Sequence, residues 1–386
     1  MKKFLATLLA LCLLLPAGAL ADGLTLNTTS PFADYDFAAQ AYVDALAAWE
    51  QATGNMVDDA SALPDETWMT AVSDGLNRGT LDVVFYPPAN FTDDMAAQFV
   101  PVSEIAAQYP DLALPVPDSL KMADGNVYAL PMRYTFVALY VNADLFESNG
   151  VALPTTWQQL LEAVQKFQQL GVIPISNALA DWPHDLVDCA VLAAGDPADR
   201  AADPTQGVPA SYARGMDMLR ELYDAGAFGA DALTVSDGEA ERRFVEHEAA
   251  MRVSGEWLGS SIPVEQMETT IVLAMPAYGE GAVEGALVGA VTMGCYITRA
   301  AWEDDARREA AVSLVQELLT GENAGALAYA FSGRLLDSAR TLTRGAPVLA
   351  RSLMDVAGDG FYTWMGELPD VLTGSASATS VLEAAF

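Results

Sequence analysis

The chain predicts an α/β architecture with mostly parallel sheets, on three observations. Short runs rich in β-branched and aromatic residues recur along it, helical periodicity separates them where hairpin turns would otherwise be expected, and its length is that of two domains. Leu81 to Tyr86 reads LDVVFY and stops at Pro87-Pro88, the pattern of a buried strand. Phe136 to Val141 and Thr270 to Ala274 repeat it.

Taken in order, the elements begin with residues 1 to 21. Met1-Lys2-Lys3, the apolar run Phe4 to Leu15 and the small residues Ala19 and Ala21 form the pattern of a secretory signal peptide, with cleavage expected before Asp22. Its apolar stretch falls short of the ~20 residues of a membrane span. Phe37 to Trp49 reads as a helix ending near Gly54. Thr156 and Gln159 have capping-box spacing, and Trp157, Leu160, Leu161, Val164 and Phe167 recur on one face before Gly171. A further helix runs from about Asp305 to Leu319, with Ala311, Leu314, Val315 and Leu318 inward and Gly321 as its stop. Residues 195 to 210, rich in Pro, Asp and Ala, read as a surface loop.

Composition excludes several function classes. Hydrophobic content of 52% with 18% charged residues is globular. The net charge of -33 becomes -35 without Lys2 and Lys3 (17 basic against 52 acidic residues), which repels nucleic-acid phosphates and anionic lipids. Cys12 lies in the signal segment behind the bulky Leu11, a poor lipidation site. Cys189 and Cys295 stand in no metal-like or redox spacing and read as buried free thiols. There is no G-x-S-x-G or H-E-x-x-H, and His184 and His247 are the only histidines, so no catalytic set, metal site or cofactor is called for. A glycosidase needs only two carboxylates, a signal that 52 acids make non-specific.

Three segments carry a resemblance. Residues 124 to 167 hold Asn142, Asp144, Leu145 and Phe146 in an Asn-x-Asp-Leu-Phe turn, then Pro154, Thr156 and Trp157 at a helix start. Residues 244 to 262 hold the turn Gly255-Glu256-Trp257, and residues 289 to 319 combine a strand return with an amphipathic helix. Together they resemble the extracellular solute-binding proteins of ABC importers, in the carbohydrate-binding branch of maltose-binding protein. A usual Gly-Gly pair is here Met293-Gly294.

The resemblance implies a two-lobed periplasmic-binding-protein fold of type II, its lobes joined by three crossings around a ligand cleft. The crossings fall near Pro131 to Phe136, Met293 to Ile297 and Ser332 to Leu336. One lobe is then residues 22 to 132 plus 293 to 332, and the other 133 to 292 plus 333 to 386. It also implies an exported monomer, in the periplasm or at the outer face of the membrane, that delivers a sugar or oligosaccharide to importer permease subunits. The same scaffold binding a polyamine or peptide is the alternative.

A sugar ring has an apolar face and a hydroxyl rim, so its site needs flat aromatic platforms and forked polar groups. Trp257 and Trp182, the latter within NALADWPHDL, are the expected platforms. Tyr86 is expected at a strand end facing the cleft, with Phe85 turned to the core. Tyr362 and Trp364 in GFYTWM are further aromatic candidates. Arg133 is expected to grip hydroxyls with its fork, with Glu256, Asn90 and the stretch Thr28 to Ser30 as additional polar groups.

Overall fold

Thirteen consecutive residues, Leu130–Asn142, form the strand around which the chain is organised. The computed structural model describes residues 23–386 except 34, 35, 113, 115 and 203. The expected signal segment and Cys12 therefore lie outside the described residues. In chain order the strands are β1 Thr25–Thr29, β2 Met56–Asp59, β3 Val83–Tyr86, β4 Leu130–Asn142, β5 Ile173–Ile175, β6 Ala249–Gly255, β7 Thr270–Leu273, β8 Leu287–Ile297 and β9 Leu349–Ala350. They build one sheet of order β2-β1-β3-β8-β4-β6-β5, with β7 on β4 and β9 on β8.

The sheet corrects the expectation of mostly parallel pairing. β1 with β2, β1 with β3, β5 with β6 and β8 with β9 are parallel, but β3 with β8 and all three pairings of β4 are antiparallel. Alternating helices and strands predict parallel neighbours when successive strands pair. Here β8 returns to β3 and β4 only after long excursions, and local pattern does not encode its direction.

β4 divides its partners along its length. Leu130 to Val137 pair with β8, while Val137 to Asn142 pair with β6 and β7. The ladder to β8 shifts register on either side of Arg133, the signature of a bulge. Two main apolar clusters flank this region. One draws on residues 26–132 and 293–327, among them Trp49, Phe85 and Trp302. The other draws on residues 137–288 and 350–382, among them Phe146, Phe167 and Trp364.

Local sequence signals set the ends of helices that carry their own caps. Trp157–Leu170 begins with the Thr156–Gln159 capping box and ends at left-handed Gly171. Ala39–Thr53 ends at Gly54, also left-handed. The helix Asp305–Leu319 has the expected bounds, but Gly321 does not stop it: extended Thr320 does, and Gly321 opens the next helix, Gly321–Ala328. The loop after residue 195 is not wholly superficial either, since Arg200 in the short 3-10 helix Pro197–Ala201 is buried. Cys189 and Cys295 are free, buried and in separate clusters.

Candidate functional site

A cavity of about 510 Å³ opens where the sheet passes from one cluster to the other. Its floor is Thr135 to Val137 of β4 and Val288 to Val291 of β8. One wall is aromatic, with Phe91, Tyr128 and Tyr296; Phe91 stacks on Tyr296 at 4.8 Å. The opposite wall brings Trp257, Asp185, Arg351 and Asp355. Gly289 permits the close strand approach in the floor, because a Cβ there would sit 2.4 Å from the carbonyl oxygen of Thr135.

Trp257 owes its position to the end of β6. Gly255 makes the last pair with Val137, and the 3-10 turn Glu256–Ser260 follows. A Cβ at Gly255 would meet the Trp257 ring at 2.2 Å, so glycine lets the indole lie against the backbone. The ring is 49% exposed and lines the cavity. Glu256 turns the other way: it accepts hydrogen bonds from the Thr135 hydroxyl at 2.9 Å and the Phe136 N–H at 3.3 Å. Burial pushes its carboxyl up, against those two bonds. It braces the floor and does not line the cavity.

A smaller cavity of about 160 Å³ adjoins the first, and Trp257 and Asp185 line both. Its remaining lining mixes the polar side chains of Asn177, His184, Asp237 and Arg252 with apolar ones, Trp182 among them. Trp182 is 48% exposed, and its φ of 60° costs a residue with a Cβ about 1–2 kcal/mol. Its ring lies 4.9 Å from that of His184 and 5.8 Å from that of Tyr362. Asp185 sits on the first turn of the helix His184–Ala193, with an oxygen 3.2 Å from His184 Nε2. Burial pushes the Asp185 carboxyl up to about 7, with Asp188 adding to it and Arg252 opposing it. Burial also lowers His184, against its bond to the Trp182 carbonyl.

Several expected residues lie elsewhere. Arg133 does not reach the cavity: its fork donates two 2.9 Å bonds to Asp36, its Nε and Nη2 reach the Leu327 carbonyl, and Phe32 and Phe37 cover it at 4.8 and 4.4 Å. The bulge re-aims it away from the floor. Burial raises the Asp36 carboxyl, but the bonds from Arg133 prevail and hold it below its ordinary value. Tyr86 is buried and stacked on Trp68 at 5.5 Å, because β3 is covered on both faces and each of its residues faces a core. Trp364 is fully buried on Tyr212 at 5.3 Å. Asn90, exposed at the end of the short helix Pro88–Asn90, does not line the cavity although Pro88, Ala89 and Phe91 do. Thr28, Thr29 and Ser30 are buried, bonded to Asp59, Trp68 and Ser61.

Sequence reasoning missed Asp185, Arg351, Asp355 and Lys121. Asp185 had a signal, three residues beyond Trp182 at a helix start. Arg351 follows β9, two residues long and too short to show a period.

A family model described as bacterial extracellular solute-binding protein matches residues 44–335. The chain belongs to that family. Among curated proteins, this solute-binding protein is 25% identical over 145 residues to a probable sugar-binding periplasmic protein of Rhizobium meliloti, a match covering 35% of this chain and 33% of that one. It thus spans about a third of that relative's length. Two solved structures are similar in fold. One is a probable secreted solute-binding lipoprotein from Streptomyces coelicolor, 18% identical, with a TM-score of 0.65 over 94% of this chain and 98% of that one. The other is a sugar transporter from Rhizobium etli in an open conformation, 17% identical, with a TM-score of 0.59 over 94% and 98%.

Proposed function

We propose that this solute-binding protein is the substrate-binding component of an ABC sugar importer, holding a sugar or short oligosaccharide in the cavity beside Trp257. The carrying observation is an indole half exposed to water, held over a glycine at the wall of a 510 Å³ cavity. Burying such a flat apolar face against the C–H side of a sugar ring is favourable, and the nearby polar groups suit its hydroxyls.

The two apolar clusters are then the cores of two lobes, residues 22–132 plus 293–332 and 133–292 plus 333–386. β4 and β8 act as hinge strands, and closure around the ligand presents the form that permease subunits receive. The protein works as an exported monomer without chemistry of its own.

Charge at the cavity favours a neutral guest. Lys121 and Arg351 stand against Asp185 and Asp355 in the lining, whereas a polyamine site would concentrate carboxylates around its rings. The test is a thermal-shift screen of the mature chain against mono- and oligosaccharides, with spermidine as the contrasting probe. A rise in melting temperature with a saccharide supports the reading. A rise with spermidine alone overturns it.

A further inference from the structure

With 52 acidic residues against 19 basic ones, most arginines of this chain are claimed by a carboxylate, as Arg133, Arg200, Arg252 and Arg307 are by aspartates. Arg340 and Arg344 are exceptions. They stand one turn apart on the helix Gly333–Gly345, where like charges repel, and among the described residues neither forms an ion pair with a carboxylate. Arg344 donates through Nη2 to the Leu319 carbonyl at 3.1 Å, and among the described residues the rest of its fork has no acceptor. Burial lowers the Arg344 guanidinium and Arg340 adds to that, with the Tyr134 and Tyr329 phenols opposing.

Arg344 lines a cavity of about 330 Å³, within the size range of small-molecule sites. The cavity lies across β4 from the Trp257 site. Tyr134 and Thr135 are successive residues of that strand and point to opposite faces: Thr135 lines the larger cavity and Tyr134 this one, while Ser119 lines both. Its polar side chains can all donate a hydrogen bond, and none is a carboxylate. Thr343 is committed, donating to the Ala339 carbonyl at 2.8 Å and accepting from Tyr329 at 3.1 Å. The Tyr134 hydroxyl has no hydrogen bond among the described residues. Val116, Pro117, Pro347 and Leu349 supply apolar walls.

We propose that this cavity is a second ligand site, for a small organic acid whose carboxylate or phosphate meets Arg344 and the Tyr134 hydroxyl while its carbon body lies on Pro117, Pro347 and Leu349. An acceptor-only group answers the unspent donors and relieves the repulsion from Arg340. A bare inorganic ion would leave the apolar walls in water, and a neutral guest would leave the charge unanswered. The acidity of the whole chain does not forbid such a ligand, because at physiological salt charges are screened beyond about 8 Å and the nearest arginines decide. The inference does not depend on what occupies the cavity beside Trp257.

The experiment is calorimetric titration of the mature wild type, Arg344→Gln and Tyr134→Phe with hexanoate, benzoate and phenyl phosphate, beside inorganic phosphate and the uncharged hexanamide and benzamide. At least one organic acid should bind the wild type, about tenfold or more tightly than its amide or than inorganic phosphate. Arg344→Gln should weaken that acid about tenfold or more and leave the affinity for any bound saccharide unchanged. Tyr134→Phe keeps the ring in its apolar cluster and should weaken the acid about threefold, which tests the site should Arg344→Gln fail to fold by circular dichroism. Failure of every organic acid to bind overturns the proposal, as does an amide or inorganic phosphate that binds as tightly. Acid affinity unchanged in a folded Arg344→Gln, or in Tyr134→Phe, also overturns it, and none of these results touches the sugar reading.

Discussion

The bulge at Arg133 in β4 and the mouth at Trp182 and Trp257 both bring aromatic rings together with charged groups, yet they do opposite things. At the bulge a guanidinium and two aromatic rings are closed on one another: Arg133 is bonded to Asp36 and Leu327 and roofed by Phe32 and Phe37. At the mouth the rings face water and each other loosely, with one backbone in a costly conformation. Residues whose partners come from their own chain hold the fold. Residues left open are available to a guest.

The comparison can be broken by substitution. The largest effect is expected at the ion pair buried on both sides, where the Arg200 guanidinium meets Asp188, a carboxylate that also accepts from the Ser352 hydroxyl at 2.7 Å and the Leu353 N–H at 3.2 Å. Arg200→Met strands Asp188 and should cost about 4 kcal/mol in urea unfolding. Arg133→Met should cost about 2–3 kcal/mol by the same assay, less because the pair is partly exposed, and should leave ligand affinity unchanged. A large loss of affinity at native stability would place Arg133 in the site after all.

Trp257→Ala should do the reverse, weakening saccharide binding by about 1–3 kcal/mol in calorimetry with little change in melting temperature. An unchanged affinity would remove Trp257 from the ligand.

The smallest effect concerns Asp185. Its folded carboxyl titrates near 7, above an unfolded carboxylate, so it disfavours folding increasingly as pH rises from about 4 through 7 and is neutral to stability below that range. His184, Asp188, Arg252, Asp237 and Glu256 surround it. Asp185→Asn should match the wild type at pH 4 and exceed it by about 1–2 kcal/mol at pH 8, with water in the open cavity relieving part of the burial. A pH-independent difference would show that Asp185 ionises as an ordinary surface acid.

Particular residues show how much of this was legible beforehand. Trp257 could be read because Gly255 and a turn announce a ring displayed at the surface. Trp364, in the aromatic stretch GFYTWM, could not be assigned from the sequence, because only the packing of Tyr212 decides that it is buried. Arg133 looked like a free fork because its partner, Asp36, is 97 residues away.

The sequence by itself determined the elements whose causes are local: the capping box of Trp157–Leu170, the glycine stop after Ala39–Thr53, the apolar run of β3 and the family motifs. Tertiary structure alone decided strand direction, the burial of Tyr86 and Arg200, and the meeting of Asp185, Trp257 and Arg351 around one cavity. The reason is physical. A cap or a turn is satisfied by atoms a few residues away, whereas a cavity wall is assembled from segments more than 160 residues apart whose approach is set by the packing of two cores.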